Sequence, residues 1–128
     1  MNDHVVLAAR LFAAFESGDL DAARDLCAPG FRGTQNGGPA MDLETLLKFS
    51  AAVSAAVEDF RYEAAVREAT ATGFVEEHAV RGTLPDGSQL DLAVCVVGDV
   101  RNGKISALRE YLDSARAAGL LEAIRPAG

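Results

Sequence analysis

The order of periodicities predicts an α+β domain. Apolar residues recur at helical spacing through the first half of the 128-residue chain, and from about residue 60 long extended stretches take over. Turn chemistry marks the change: Thr72-Gly73, Pro85-Asp86-Gly87 and Asn102-Gly103 divide the second half into strand-length pieces. One domain is expected at this length.

The first helix is expected over His4 to Ser17. Leu7, Leu11, Ala14 and Phe15 follow helical spacing, Asn2 or Asp3 serves as cap, and Gly18 is the stop. A second helix starts at Asp19, buries Leu20, Ala23 and Leu26, and ends at Pro29, with Cys27 in its helical stretch. The segment Ala28 to Met41 has loop composition, with Phe31 to Gln35 as its only candidate strand. Asp42 caps a third helix with an inner stripe of Leu43, Leu46, Leu47, Val53 and Val57. Strands follow at about Phe60 to Ala71, Phe74 to Leu84, Gln89 to Arg101 and Lys104 to Leu112, an antiparallel meander. A closing helix spans Ser114 to Ile124, with Asp113 as its cap and Pro126 after it.

Composition limits the function. A net charge of -7 argues against nucleic acid, which requires clustered Lys and Arg. No apolar run reaches the length of a membrane span, and no basic region followed by an apolar stretch opens the chain, so a cytoplasmic location and no membrane partner are expected. Cys27 and Cys95 read as small core residues of a reducing compartment. His4 and His78 are too far apart to suggest metal-ligand spacing, so no metal and no cofactor are expected. The strand Leu90 to Val97 is apolar on both faces: Leu92, Val94 and Val96 on one side, Ala93, Cys95 and Val97 on the other. Helices can cover only one side, so a homodimer through the other sheet face is expected.

Glu110 is the first candidate for chemistry. It lies between Leu108 and Leu112 on one strand face, where apolar neighbours strip hydration and raise a carboxyl's proton affinity into a range useful for acid–base work. The alternative is a solvated face and an ordinary surface charge.

The element order, together with Phe15-Glu16-Ser17-Gly18-Asp19-Leu20-Asp21, Leu84-Pro85-Asp86-Gly87 and Gly103-Lys104-Ile105 before Arg109-Glu110-Tyr111-Leu112-Asp113, resembles the SnoaL-like / nuclear transport factor 2-like superfamily. Ketosteroid isomerases and limonene-epoxide hydrolases are relatives within it. The resemblance implies a cone-shaped (cystatin-like) fold over residues 1–128: three N-terminal helices packed on a curved antiparallel sheet that encloses a pocket, and a short C-terminal helix. The final stretch is most similar to the epoxide hydrolases, where an aspartate at the position of Glu110 is catalytic. Glu77 and Arg81, sharing a face of the strand before the Pro-Gly turn, would then enter the pocket, with Arg81 holding Glu110 ionised as a base; an ion-pair network of purely structural purpose is the alternative. Alternation would turn His78 the other way, to the surface or the dimer face. Gln35 or Asn36 would orient water or substrate, Tyr62 would donate a hydrogen bond, and Phe60, Leu92, Val94, Leu108 and Leu112 would form apolar wall. The positions of the ketosteroid isomerase tyrosine and aspartates hold Leu11, Gln35 and Val96 or a neighbour of it.

The function implied is a cofactor-independent acid–base enzyme on a small hydrophobic oxygenated molecule, of isomerase, epoxide hydrolase, dehydratase or polyketide cyclase type. The alternative is a non-catalytic ligand-binding or dimeric scaffold module of the same fold.

Overall fold

Five strands and four helices make up the computed structural model, which describes residues 3–125; the Asn2 cap and Pro126 stop lie outside the described residues. Helix α1 (Asp3–Ser17) ends at Gly18, whose φ of 76° no β-carbon opposes. The Gly18 and Asp19 amides then donate to Phe15 and Ala14 carbonyls, a Schellman closure. Asp19 at once caps α2 (Leu20–Leu26), its carboxylate accepting from the Ala22 amide at 3.1 Å. Asp42 caps α3 (Leu43–Ala56) in the same way through Thr45 at 2.9 Å. Arg24 of α2 clasps the Glu44 carboxylate with two 2.9 Å hydrogen bonds, joining the helices outside the core.

The strands are β1 (Cys27–Gln35), β2 (Glu58–Ala69), β3 (Gly73–Thr83), β4 (Gln89–Arg101) and β5 (Lys104–Leu112), in sheet order β1-β5-β4-β3-β2. β2 to β5 form the expected meander. Asn102 and Gly103, with φ of 52° and 77°, turn the last hairpin. Two expectations change at β1. Cys27 opens this strand instead of ending a helix, and β1 pairs with β5 in parallel, so the sheet is mixed. The pairing shifts register between Cys27 and Arg32, where Pro29 has no amide hydrogen to contribute. The sheet curves without closing.

After β5, Asp113 organises a turn by accepting from the Ala115 amide, and α4 (Ala118–Ile124), with Ala117 and not Asp113 at its N-cap, starts later than expected. Among the described residues no helix is long and apolar enough to cross a membrane.

The core lies between the helices and the concave face of the sheet. Phe31, Phe74, Leu11, Leu47 and Ile105 are fully buried there, and Leu90, Leu92, Val94 and Val96 supply the inner face of β4. Among the described residues nothing covers the outer face: Ala93 is exposed, Cys95 and Val97 are half-buried, and Val66 and Tyr111 are 55% and 45% exposed.

Candidate active site

The concave face and the packing surfaces of α1, α3 and α4 leave a cavity of about 100 Å³. Phe12 and Phe15 come from α1, Leu46, Phe49 and Val53 from α3, Leu120 and Leu121 from α4, and Val80, Val96 and Leu108 from the sheet. Phe60, Tyr62, Leu92, Val94 and Leu112 line it as well, together with Gln35. Against this apolar wall stand few polar side chains: Thr34, Gln35, Ser50, Tyr62, His78 and Glu110. Such a ratio orients a ligand through a few fixed hydrogen bonds.

Glu110 is turned inward between Leu108 and Leu112. Parallel pairing sets Gln35 beside it, and the Gln35 amide donates to a carboxyl oxygen at 3.3 Å. Burial raises the Glu110 proton affinity; the Gln35 hydrogen bond, and the charge of the nearby His78 whenever both of its ring nitrogens bear protons, oppose that rise without cancelling it. Tyr62 is pushed up by burial, then by the charges of Glu110, Glu76 and Glu16, so its hydroxyl keeps its proton.

His78 lines the same cavity from the same sheet face, two strands away from Glu110. Its ring packs on Phe12 and Tyr62, with centroids 4.9 and 4.5 Å away, and Nδ1 lies 2.6 Å from Glu76 Oε2. Glu76 is fully buried behind it, and its other oxygen takes the Arg67 guanidinium.

Three expected placements are corrected. Glu77 is exposed on the outer face, opposite Cys95. Arg81 is on that face too, bonded to Asp91 at 3.2 Å and 3.7 Å from Glu63, so it does not accompany Glu110. Without a guanidinium the carboxyl moves toward its protonated form instead of being held ionised. Asn36 lines no part of the cavity: at φ 52° its side chain accepts from the Leu112 amide at 2.9 Å, and its own amide donates to the Glu110 carbonyl at 2.8 Å. It fixes the backbone that carries Glu110.

The expectation for β3 was displaced by one residue, which exchanges the two faces of a strand. His78 is therefore on the cavity side and not on the surface or dimer face, and Glu76 beside it was missed; Arg67 was missed because its inward turn depends on a register shift in β2. The signal lay in the neighbouring strand: counting back across the Leu84–Ser88 turn pairs Thr83 with Gln89 and so His78 with Val94, already assigned to the wall. Directly paired residues share a face. Among the described residues no group of three or more His, Cys, Asp and Glu is placed to hold a metal ion.

This architecture, a helix-covered curved sheet with acid–base groups on its concave face, defines a SnoaL-like domain. A family model for that domain matches residues 8–108, and the chain belongs to the SnoaL-like family. No curated protein matches the chain. Among solved structures, a candidate polyketide cyclase from Xanthomonas campestris pv. campestris superimposes with a TM-score of 0.81 at 21% identity, covering 92% of this chain and 96% of that one. A candidate polyketide cyclase from a Silicibacter species gives 0.78 at 22% identity, covering 88% and 90%. A candidate hydroxylase from Streptomyces galilaeus gives 0.78 at 15%, covering 94% of each. At these identities the likeness concerns the fold.

Proposed function

We propose that this chain is a cofactor-independent acid–base enzyme acting on a small hydrophobic oxygenated molecule, with Glu110 and His78 as the proton-transferring pair. The observation that carries this is their shared position in one apolar cavity, each held by its own partner, Gln35 for the carboxyl and Glu76 for the imidazole. Burial favours the proton-bearing form of Glu110. A substrate carbonyl, ether or hydroxyl oxygen beside it would gain that proton while His78 takes one from a neighbouring carbon or from water. From the enol so formed, return of the proton at another carbon isomerises, attack on an electrophile in the same molecule closes a ring, and loss of hydroxide as water dehydrates. With water as the nucleophile an epoxide opens. The names of the structural neighbours agree with ring closure. Turnover of polyketide, epoxide and steroid panels is the test: Glu110→Gln should lose roughly 10²–10⁴-fold, the share of a positioned acid–base group. Activity retained in that variant removes Glu110 from the mechanism.

A second reading, a ligand-binding module without chemistry, draws on the small cavity of about 100 Å³. Saturable binding of a panel compound that neither the wild type nor any variant converts would favour it.

We also propose a homodimer through the outer sheet face. Val66, Glu77, Cys95 and Tyr111 form one cross-strand row there, beside Val75 and Val97, and the Arg61, Glu63, Arg81 and Asp91 charges border one end. Native mass spectrometry should give a dimer that Tyr111→Asp converts to monomer; a monomeric wild type refutes the arrangement.

A further inference from the structure

We propose that Arg67 and Glu76 are a positioning pair that fixes the proton of His78 on Nδ1, leaving Nε2 as a proton acceptor for the cavity. The starting point is an inserted residue in β2. From Arg61 to Glu63 the strand pairs continuously with β3, Tyr62 opposite Val80 and Glu63 opposite Ala79; pairing resumes with Val66 opposite Glu77 and Arg67 opposite Glu76. Ala64 absorbs the extra residue at φ 57°. With continuous pairing Val66 would stand opposite Glu76, and a fully buried carboxylate would meet only methyl groups. The bulge turns Arg67 inward instead and supplies the counter-charge that a buried carboxylate requires.

Glu76 then divides its two oxygens. One takes the Arg67 guanidinium and the other lies 2.6 Å from His78 Nδ1. A carboxylate only accepts, so Nδ1 is assigned as the ring nitrogen bearing hydrogen. The His78 side chain is 2% exposed and packs against both Phe12 and Tyr62, contacts that hold the ring with Nδ1 toward Glu76. Stability alone does not explain the trio, because well-packed apolar side chains of similar volume serve a core as well or better. What apolar residues do not supply is a fixed tautomer. An acceptor Nε2 complements Glu110, which burial biases toward the donor form. The effect on turnover rests on the Glu110–His78 reading above; the tautomer is a property of the resting protein.

The test is nitrogen NMR of the imidazole in protein labelled with ¹⁵N-histidine, in a His4→Gln background that removes the second of the two histidines. Followed to a pH at which the nitrogen shifts no longer change, the wild type and Arg67→Lys should each give one species, with Nδ1 protonated and Nε2 bare. Glu76→Gln should reverse this. Arg67 can only donate and so claims the amide oxygen, which leaves the amide NH₂ facing Nδ1 and moves the ring proton to Nε2. A wild-type proton on Nε2, or an unchanged tautomer in Glu76→Gln, overturns the proposal, and the wild-type spectrum decides alone if that variant does not fold. Turnover by Glu76→Gln should fall by roughly 10²–10⁴-fold with the base lost. A reversed tautomer with undiminished turnover would uphold the positioning pair and remove His78 from the acid–base mechanism.

Discussion

Replacing Glu110 by Gln should stabilise the protein increasingly as pH rises. In the unfolded chain this carboxyl titrates near 4.5, and in the folded protein burial raises the value. Between those two points the native state holds more protons than the unfolded state, so the carboxyl's contribution is fully present below the unfolded value and is lost as pH climbs through the folded one. One group exchanges at most one proton, which caps the slope at about 1.4 kcal/mol per pH unit within that window. Glutamine keeps the size and the Gln35 neighbour but does not ionise. Urea unfolding of both proteins at several pH values from 4 upward, each converted to a free energy, isolates the difference. The two curves should run parallel at low pH, diverge in favour of the variant above about 4.5, and run parallel again once Glu110 has ionised in both states. Curves that stay parallel throughout would mean a hydrated carboxyl, and the desolvated acid on which the mechanism depends would be lost.

Gly98 lies directly opposite Phe74, and a methyl group there would overlap the fully buried ring, so Gly98→Ala should cost about 1–3 kcal/mol in urea unfolding; a trimmed partner, Phe74→Leu, should restore part of the loss. Asn36→Ala removes the acceptor for the Leu112 amide and leaves alanine at φ 52°, so a loss of about 1–3 kcal/mol is expected, with Asn36→Gly milder because glycine tolerates that angle. Burial pushes the Cys27 thiol up to about 11, so a thiol-reactive dye should label only Cys95 in the folded protein at neutral pH. Slower labelling of Cys95 at high protein concentration, relieved by Tyr111→Asp, is the accompanying signature of a dimer across the outer face.

The chemistry of individual positions foretold most of the framework. Asp19 and Asp42 are caps because a short carboxylate reaches free amides at a helix start, and Asn102-Gly103 turns a hairpin because both residues tolerate positive φ. β4 and β5 were legible to the residue, since their turns and apolar runs leave one solution. Glu110 was legible for a related reason: Leu108 and Leu112 share its face and need burial. β3 was not, because Glu76, Glu77, His78 and Arg81 distribute charge over both of its faces and local alternation then has nothing to choose between. Only the pairing with Leu92 and Val94 decides it. The Arg67 contact was still less accessible, since it depends on a single extra residue in β2 that no turn motif announces. The parallel docking of β1 joins segments some seventy residues apart, beyond the reach of any periodicity.

That docking has a consequence for biosynthesis. Of these five strands β5 is synthesised after the others, yet it occupies the place between β1 and β4. A nascent chain halted after β4 has its first strand without a neighbour, its concave wall incomplete and its Glu110 not yet made. Assembly of the hollow therefore waits on the synthesis of β5, and a message cut short anywhere before β5 encodes a product with greasy surface for chaperones and proteases to recognise.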